Sequence, residues 1–90
     1  MSSVNIAIKF TGTGLGQANI DIGGDNGYSN KFKITKDFVQ NFDLGPGTYT
    51  IAVNGSSGST TTLDVTGCLA PEVHDTCDPN EIDMNDTFDV

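Results

Sequence analysis

The stretch Gly45-Pro46-Gly47-Thr48-Tyr49-Thr50-Ile51-Ala52-Val53 decides the fold. Pro46 fixes its own φ, and the glycines on either side permit a tight bend. Beyond the bend, Tyr49, Ile51 and Val53 alternate with Thr48, Thr50 and Ala52. That is a period of two on residue types that suit a pleated, half-buried surface. A turn followed by such an alternation predicts a β-strand with one face in a core.

The same period recurs on both sides. In the first segment Val4, Ile6, Ile8 and Phe10 share one face and Asn5, Ala7 and Lys9 the other. Gly12-Thr13-Gly14-Leu15-Gly16 then supplies a loop, after which Ala18, Ile20 and Ile22 alternate with Asn19 and Asp21. Gly23-Gly24-Asp25-Asn26-Gly27 is a dense turn signal. Tyr28, Phe32 and Ile34 follow on one face of a third segment whose other face carries Lys31 and Lys33. Residues 36–41 are ambiguous and fit a short helical turn. On the C-terminal side, Asn54-Gly55-Ser56-Ser57-Gly58 predicts a turn into Thr60-Thr61-Thr62-Leu63-Asp64-Val65. Short strands with glycine turns at such spacing predict an all-β fold, a small antiparallel β-sandwich of six to seven strands. Residues 1–67 make up this domain, and residues 68–90 form an acidic tail.

The run Phe42-Asp43-Leu44-Gly45-Pro46-Gly47-Thr48-Tyr49-Thr50-Ile51-Ala52-Val53 resembles the signature of carboxypeptidase-regulatory-like domains, in which a Phe-x-Leu strand meets a Pro-Gly-x-Tyr turn before an alternating strand. The likeness extends over residues 4–66. It implies a prealbumin-like (transthyretin-like, immunoglobulin-like) sandwich and a non-catalytic accessory, assembly or adhesion module, of a kind found in bacterial surface proteins.

Charge narrows the partners. The chain carries a net charge of -8, which repels phosphate backbones and anionic headgroups. Nucleic acid is therefore excluded as a partner, and the lack of a long apolar run argues against membrane insertion. The charge is unevenly placed. Residues 1–67 hold five acids against four lysines, whereas residues 68–90 hold seven acids and neither Lys nor Arg. Ninety residues bury only about 60–65% of the unfolded surface, so a cross-link or a partner would stabilise the fold appreciably.

Cys68 and Cys77 are the disulfide candidate. A bridge would close a loop worth roughly 2.5–3 kcal/mol and imply an extracellular or periplasmic location. Met1-Ser2-Ser3 lacks the character of a signal peptide, which favours reduced thiols in the cytoplasm if Met1 is the native start. Cys68, His74 and Cys77 are also three zinc-ligand types, but not in the paired spacing structural zinc uses. Gly12-x-Gly14-x-Gly16 joins strands rather than opening a helix, so it is no nucleotide loop. His74 beside Cys77 in a polar tail lacks the rigid scaffold that a nucleophile and base require. No enzyme activity is expected.

Calcium is the one cofactor the tail can be read to hold, through Asp75, Asp78, Glu81, Asp83 and Asp86, because hard cations bind clustered oxygens. The EF-hand pattern is not met, since Ile82 takes a ligand position and Asp83 the place of the bend glycine. A solvated acidic tail is the alternative. Ile82, Met84, Phe88 and Val90 share parity, interrupted only by Asp86. They could form a further strand that pairs with an edge of their own sandwich or with a neighbouring molecule; disorder is the alternative. Asn54-Gly55-Ser56 and Asn85-Asp86-Thr87 match glycosylation acceptors, but Asn-Gly at a hairpin accounts for the first.

The composite expectation is a binding or structural module that contacts a protein partner or itself through strand edges or the tail. A calcium- or carbohydrate-binding accessory module is the second reading, weakened by having only Tyr28 and Tyr49 besides phenylalanine to stack on a sugar.

Overall fold

The alternation centred on Ile51 builds the middle of a sheet. In the computed structural model, which describes residues 2–12, 16–69 and 71–90, eight strands form and the described residues contain no helix. They are β1 (Ser2–Thr11), β2 (Gly16–Gly24), β3 (Ser29–Ile34), β4 (Phe38–Leu44), β5 (Thr48–Ser57), β6 (Thr60–Thr66), β7 (Val73–Cys77) and β8 (Asn80–Asp89). They pair, antiparallel throughout, into two four-stranded sheets of order β4-β1-β6-β7 and β3-β2-β5-β8. The fold is a β-sandwich, with eight strands where the sequence pattern counts six to seven.

The strands that the sequence pattern leaves open have different origins. Of residues 36–41, which fit a helical turn by sequence, 38–41 belong instead to edge strand β4 and 36–37 to the connection before it. There Phe38, Phe42 and Leu44 face inward, but Gln40 shares their parity and Val39 lies exposed on the outside. That inversion hides the period of two. Residues 68–90 supply β7 and β8, one edge strand for each sheet. Ile82, Met84 and Phe88 turn into the core, each no more than 2% exposed, and Val90 packs against it.

The core lies between the sheets. Val4, Ile6, Ile8, Leu44, Leu63 and Val65 face Ile20, Ile22, Tyr49, Ile51, Val53 and Phe88 across it. Tyr49 is fully buried and stacks on Phe88 at 5.6 Å between ring centroids. Its hydroxyl donates to the Gly45 carbonyl at 2.7 Å and accepts from Asn26 Nδ2 at 2.9 Å. A buried phenol is costly unless it is satisfied in this way. The Gly45-Pro46-Gly47 bend is thereby fastened to the core residue that follows it. Gly47 and Val90 exchange backbone hydrogen bonds of 2.9 and 2.8 Å, which latch the end of β8 to the same bend.

The turn expected at residues 54–58 is displaced. Asn54 and Gly55 lie inside β5, paired with Asn19 and Ala18 of β2 and with Asp83 and Ile82 of β8. The chain reverses only at Gly58-Ser59, where Ser57 Oγ accepts from the Ser59 amide at 3.0 Å. Gly55 is required there by close approach rather than by a turn, because a Cβ would run into the Gln17 carbonyl and come within 2.8 Å of Ala18 Cα. Gly55→Ala must therefore push β2 away from β5. A loss of about 1–3 kcal/mol is expected from overpacking, read as a lowered denaturant midpoint; an unchanged midpoint would contradict this register.

Candidate functional site

Each side of the sandwich exposes two neighbouring edge strands, and the two sides differ in chemistry. On one side β3 and β4 are joined by residues 35–37, and Phe32, Phe38 and Phe42 stack across the seam between them, with centroids 5.0–6.3 Å apart. Phe32 and Phe38 are only partly buried. A shallow depression of about 230 Å³ lies over these rings, edged by Asn30 and Gln40. Lys31 and Lys33 stand on the outer face of β3, with Lys36 in the connection. Three of the chain's four lysines thus lie on this side. Lys31 reaches Asp21 of β2, its ladder partner, at 3.8 Å.

The opposite side, β7 and β8, is acidic. Glu81, Asp83 and Asp89 line the outer face of β8 beside Asn85 and Thr87. Asp78 sits in the β7–β8 connection, where Asn80 takes a positive φ of 99°. Asp75 and Asp86 share the inward parity of their strands and meet in the seam. Burial, then the hydrogen bond and negative charge of Asp75, push the Asp86 carboxyl up to about 6. Asp86 Oδ2 is buried without a hydrogen-bond partner among the described residues.

A carboxyl whose pKa is raised in the folded state takes up a proton on folding. Its penalty is absent below the ordinary value of 3.8, grows as pH climbs towards about 6 and is complete above that. Asp86→Asn keeps the shape without the charge. It should raise the melting midpoint at pH 7.5 by several degrees, corresponding to on the order of 1 kcal/mol after allowing for solvent screening. At pH 3.5 the variant and the parent should melt together. A constant difference at both values would show that ionisation of Asp86 is not the cause.

The acids proposed as calcium ligands are divided by strand parity. Glu81 and Asp83 point outward from β8, Asp86 points inward, Asp75 comes from β7, and Asp78 lies in the turn. Among the described residues, no three His, Cys, Asp or Glu side chains converge as a metal site would require. The same holds for Cys68, His74 and Cys77. His74 faces outward from β7 and Cys77 inward. His74 is held instead by Asp64, its cross-strand partner on β6, with Nδ1 2.7 Å from Asp64 Oδ1. That bond, with Glu72 at 3.8 Å from Nε2, raises the imidazole above its usual range.

Cys68 and Cys77 are free thiols, a correction to the proposed bridge. Cys77 pairs with Thr61 at the start of β6, whereas Cys68 lies beyond that strand's other end. From Val73 to Cys77 alone, β7 spans about 13 Å at roughly 3.3 Å per residue, and a disulfide needs Cα atoms within about 7 Å. β7 begins at Val73 opposite Val65, near the end of β6 that Cys68 follows, and runs away from that end. Each sulfur has its own neighbour, Cys68 Sγ donating to the Pro71 carbonyl at 3.5 Å and Cys77 Sγ to the Asp83 carbonyl at 3.6 Å. Without the bridge, the two cysteines do not point to an oxidising compartment. Of the glycine-rich loop, Gly12 and Gly16 are described, and Thr13, Gly14 and Leu15 lie outside the described residues.

No family model, curated protein or solved structure matches this chain. The site must be read from its own geometry. Its basic and aromatic half, Asn30, Lys31, Phe32, Lys33 and Phe38, is absent from the residues the sequence singles out. The lysines are visible there as one face of a strand, but nothing in the pattern marks that strand as a sheet edge.

Proposed function

We propose that this chain is a non-enzymatic module that binds protein by strand addition at its sheet edges, as a component of a bacterial surface or secretion assembly would. One observation carries the reading. β8 is a ten-residue edge strand whose apolar side chains are all engaged inside its own sandwich. What it offers outward is an edge of backbone N–H and C=O groups flanked by carboxylates, engaged within the chain at the Asp89 carbonyl, which accepts from the Leu69 amide at 2.9 Å, and at the Asp83 carbonyl, which the Cys77 thiol touches at 3.6 Å. An edge of this kind is a template for another strand, with the ladder giving affinity and the flanking charges selectivity. The resemblance of residues 42–53 to accessory modules of the carboxypeptidase-regulatory-like kind supports the same role.

Zero-length carbodiimide coupling in the native extract tests it. Glu81, Asp83 or Asp89 should be joined to amines of a second polypeptide. Coupling confined to acids of the inner strands, such as Asp21 of β2 and Asp64 of β6, would overturn the reading.

A further inference from the structure

The edges match each other. Both sheets have an even number of antiparallel strands, so the two edge strands of each sheet run in opposite directions. A second copy displaced sideways, without rotation, therefore sets its β3 antiparallel to β8 of the first and its β4 antiparallel to β7. We propose that the strand which β8 accepts is β3 of another copy of this chain, giving head-to-tail assembly; this rests on the edge-binding role proposed above.

The rungs of the sheet fix the pairing. Lys33, Asn19, Asn54 and Asp83 lie on one rung across β3, β2, β5 and β8. Continuing that rung into the next molecule places its Lys33 opposite Asp83, with Glu81 on the diagonal. Its Lys31 falls opposite Asn85, with Asp83 again diagonal. Opposite charges on one face at these spacings stabilise a ladder.

The inward face continues as well. Phe32, Ile20, Val53 and Met84 share a rung, so the half-exposed Phe32 of the next copy meets Met84. Asn30, Ile22, Ile51 and Asp86 share another. Asn30 of the next copy then lies opposite Asp86, bringing an amide donor to the side of the sheet that holds the unpartnered Oδ2.

Charge also decides against the alternative pairing. An edge guarded only against aggregation can carry one sign on both sides. Here β3 is basic and β8 acidic, so two β8 edges repel, two β3 edges repel, and only unlike edges attract. Heterologous contacts that do not close make open chains. The next copy uses its β3 and leaves its own β8 free.

The full chain is tested by charge reversal and sedimentation velocity over a range of concentrations. The parent should associate reversibly. Lys31→Glu/Lys33→Glu, with both β3 and β8 acidic, and Glu81→Lys/Asp83→Lys, with both basic, should each self-associate at least roughly tenfold more weakly. A one-to-one mixture of the two variants should restore assembly, because each edge then finds its opposite, and this restoration also shows that both variants are folded. In an isotope-mixed sample of the parent, carbodiimide should couple Asp83 or Glu81 of one isotopic form to Lys33 or Lys31 of the other. A parent that stays monomeric, or variants that associate as the parent does, would overturn the proposal. If β8 couples to a different polypeptide in the native extract while the purified parent stays monomeric, self-pairing fails and the edge-binding role stands. If β8 couples to nothing in either experiment, both fall.

Discussion

A chain ending at Gly67 will show no cooperative unfolding transition. That truncation removes β7 and β8, the outer strands at one side of both sheets. Val73, Ile82, Met84 and Phe88 leave the core with them, all at most 5% exposed in the full chain. Burial of each such side chain contributes about 1.5–3 kcal/mol, and the whole stability expected of a chain this size is roughly 5–13 kcal/mol. The loss is comparable to the total. Tyr49, Ile51 and Val53 would also be left at a raw edge. A sigmoidal thermal or denaturant melt of the shortened chain would show that residues 1–67 stand alone and that the last two strands are an appendage.

Phe88→Ala carries the largest effect expected of a single substitution. Phe88 is fully buried, stacks on Tyr49, and sits opposite it in the β5–β8 ladder. Truncating a buried phenylalanine costs about 3–5 kcal/mol through lost transfer energy and the cavity left behind. Tyr49 also ties the Gly45-Pro46-Gly47 bend through its hydroxyl, so the loosened ring should weaken that bend too. Denaturant unfolding should show a midpoint lowered by a large fraction of its value. Amide exchange should quicken around residues 45–49. A loss below about 1 kcal/mol would mean that the ring is not packed as described.

Most of the sandwich is legible in the sequence because most of its strands obey the simple rule. Val4, Ile6 and Ile8, then Ala18, Ile20 and Ile22, then Tyr49, Ile51 and Val53 each put one parity in the core. The exceptions have physical causes. β4 sits at an edge, where one inward position can hold Gln40 and one outward position Val39, so its alternation is broken without harm. Asn54-Gly55 carries the residues of a hairpin turn, but long-range pairing with β2 and β8 holds it extended. Tertiary context overrides local propensity there. The Cys68–Cys77 spacing permits a bridge only if the intervening chain doubles back, and β7 is straight. Asp86 breaks the apolar parity of the tail and shows no sign in sequence of the orphaned oxygen it brings to the seam. The acids of residues 68–90 are countable in the sequence, but their division between two faces depends on β8 being a strand in register with β5. The complementary lysines were equally countable. Only the sheet order makes them the far edge.

The position of β8 has a consequence for how the molecule is made. Synthesis proceeds from the amino terminus, so β5, an inner strand of its sheet, leaves the ribosome with β2 available and β8 still unbuilt. Until residues 80–89 clear the exit tunnel, Tyr49, Ile51 and Val53 lack their cross-strand neighbours on that side. The nascent chain therefore passes through a stage with an apolar strand uncovered, and the closing step joins residues that are distant in sequence, from Ser57 with Asn80 to Thr48 with Asp89. Pairings of that separation form slowly. Rapid translation of residues 58–90, or a chaperone held near the tunnel mouth, would shorten the interval in which neighbouring polysomal chains can capture one another.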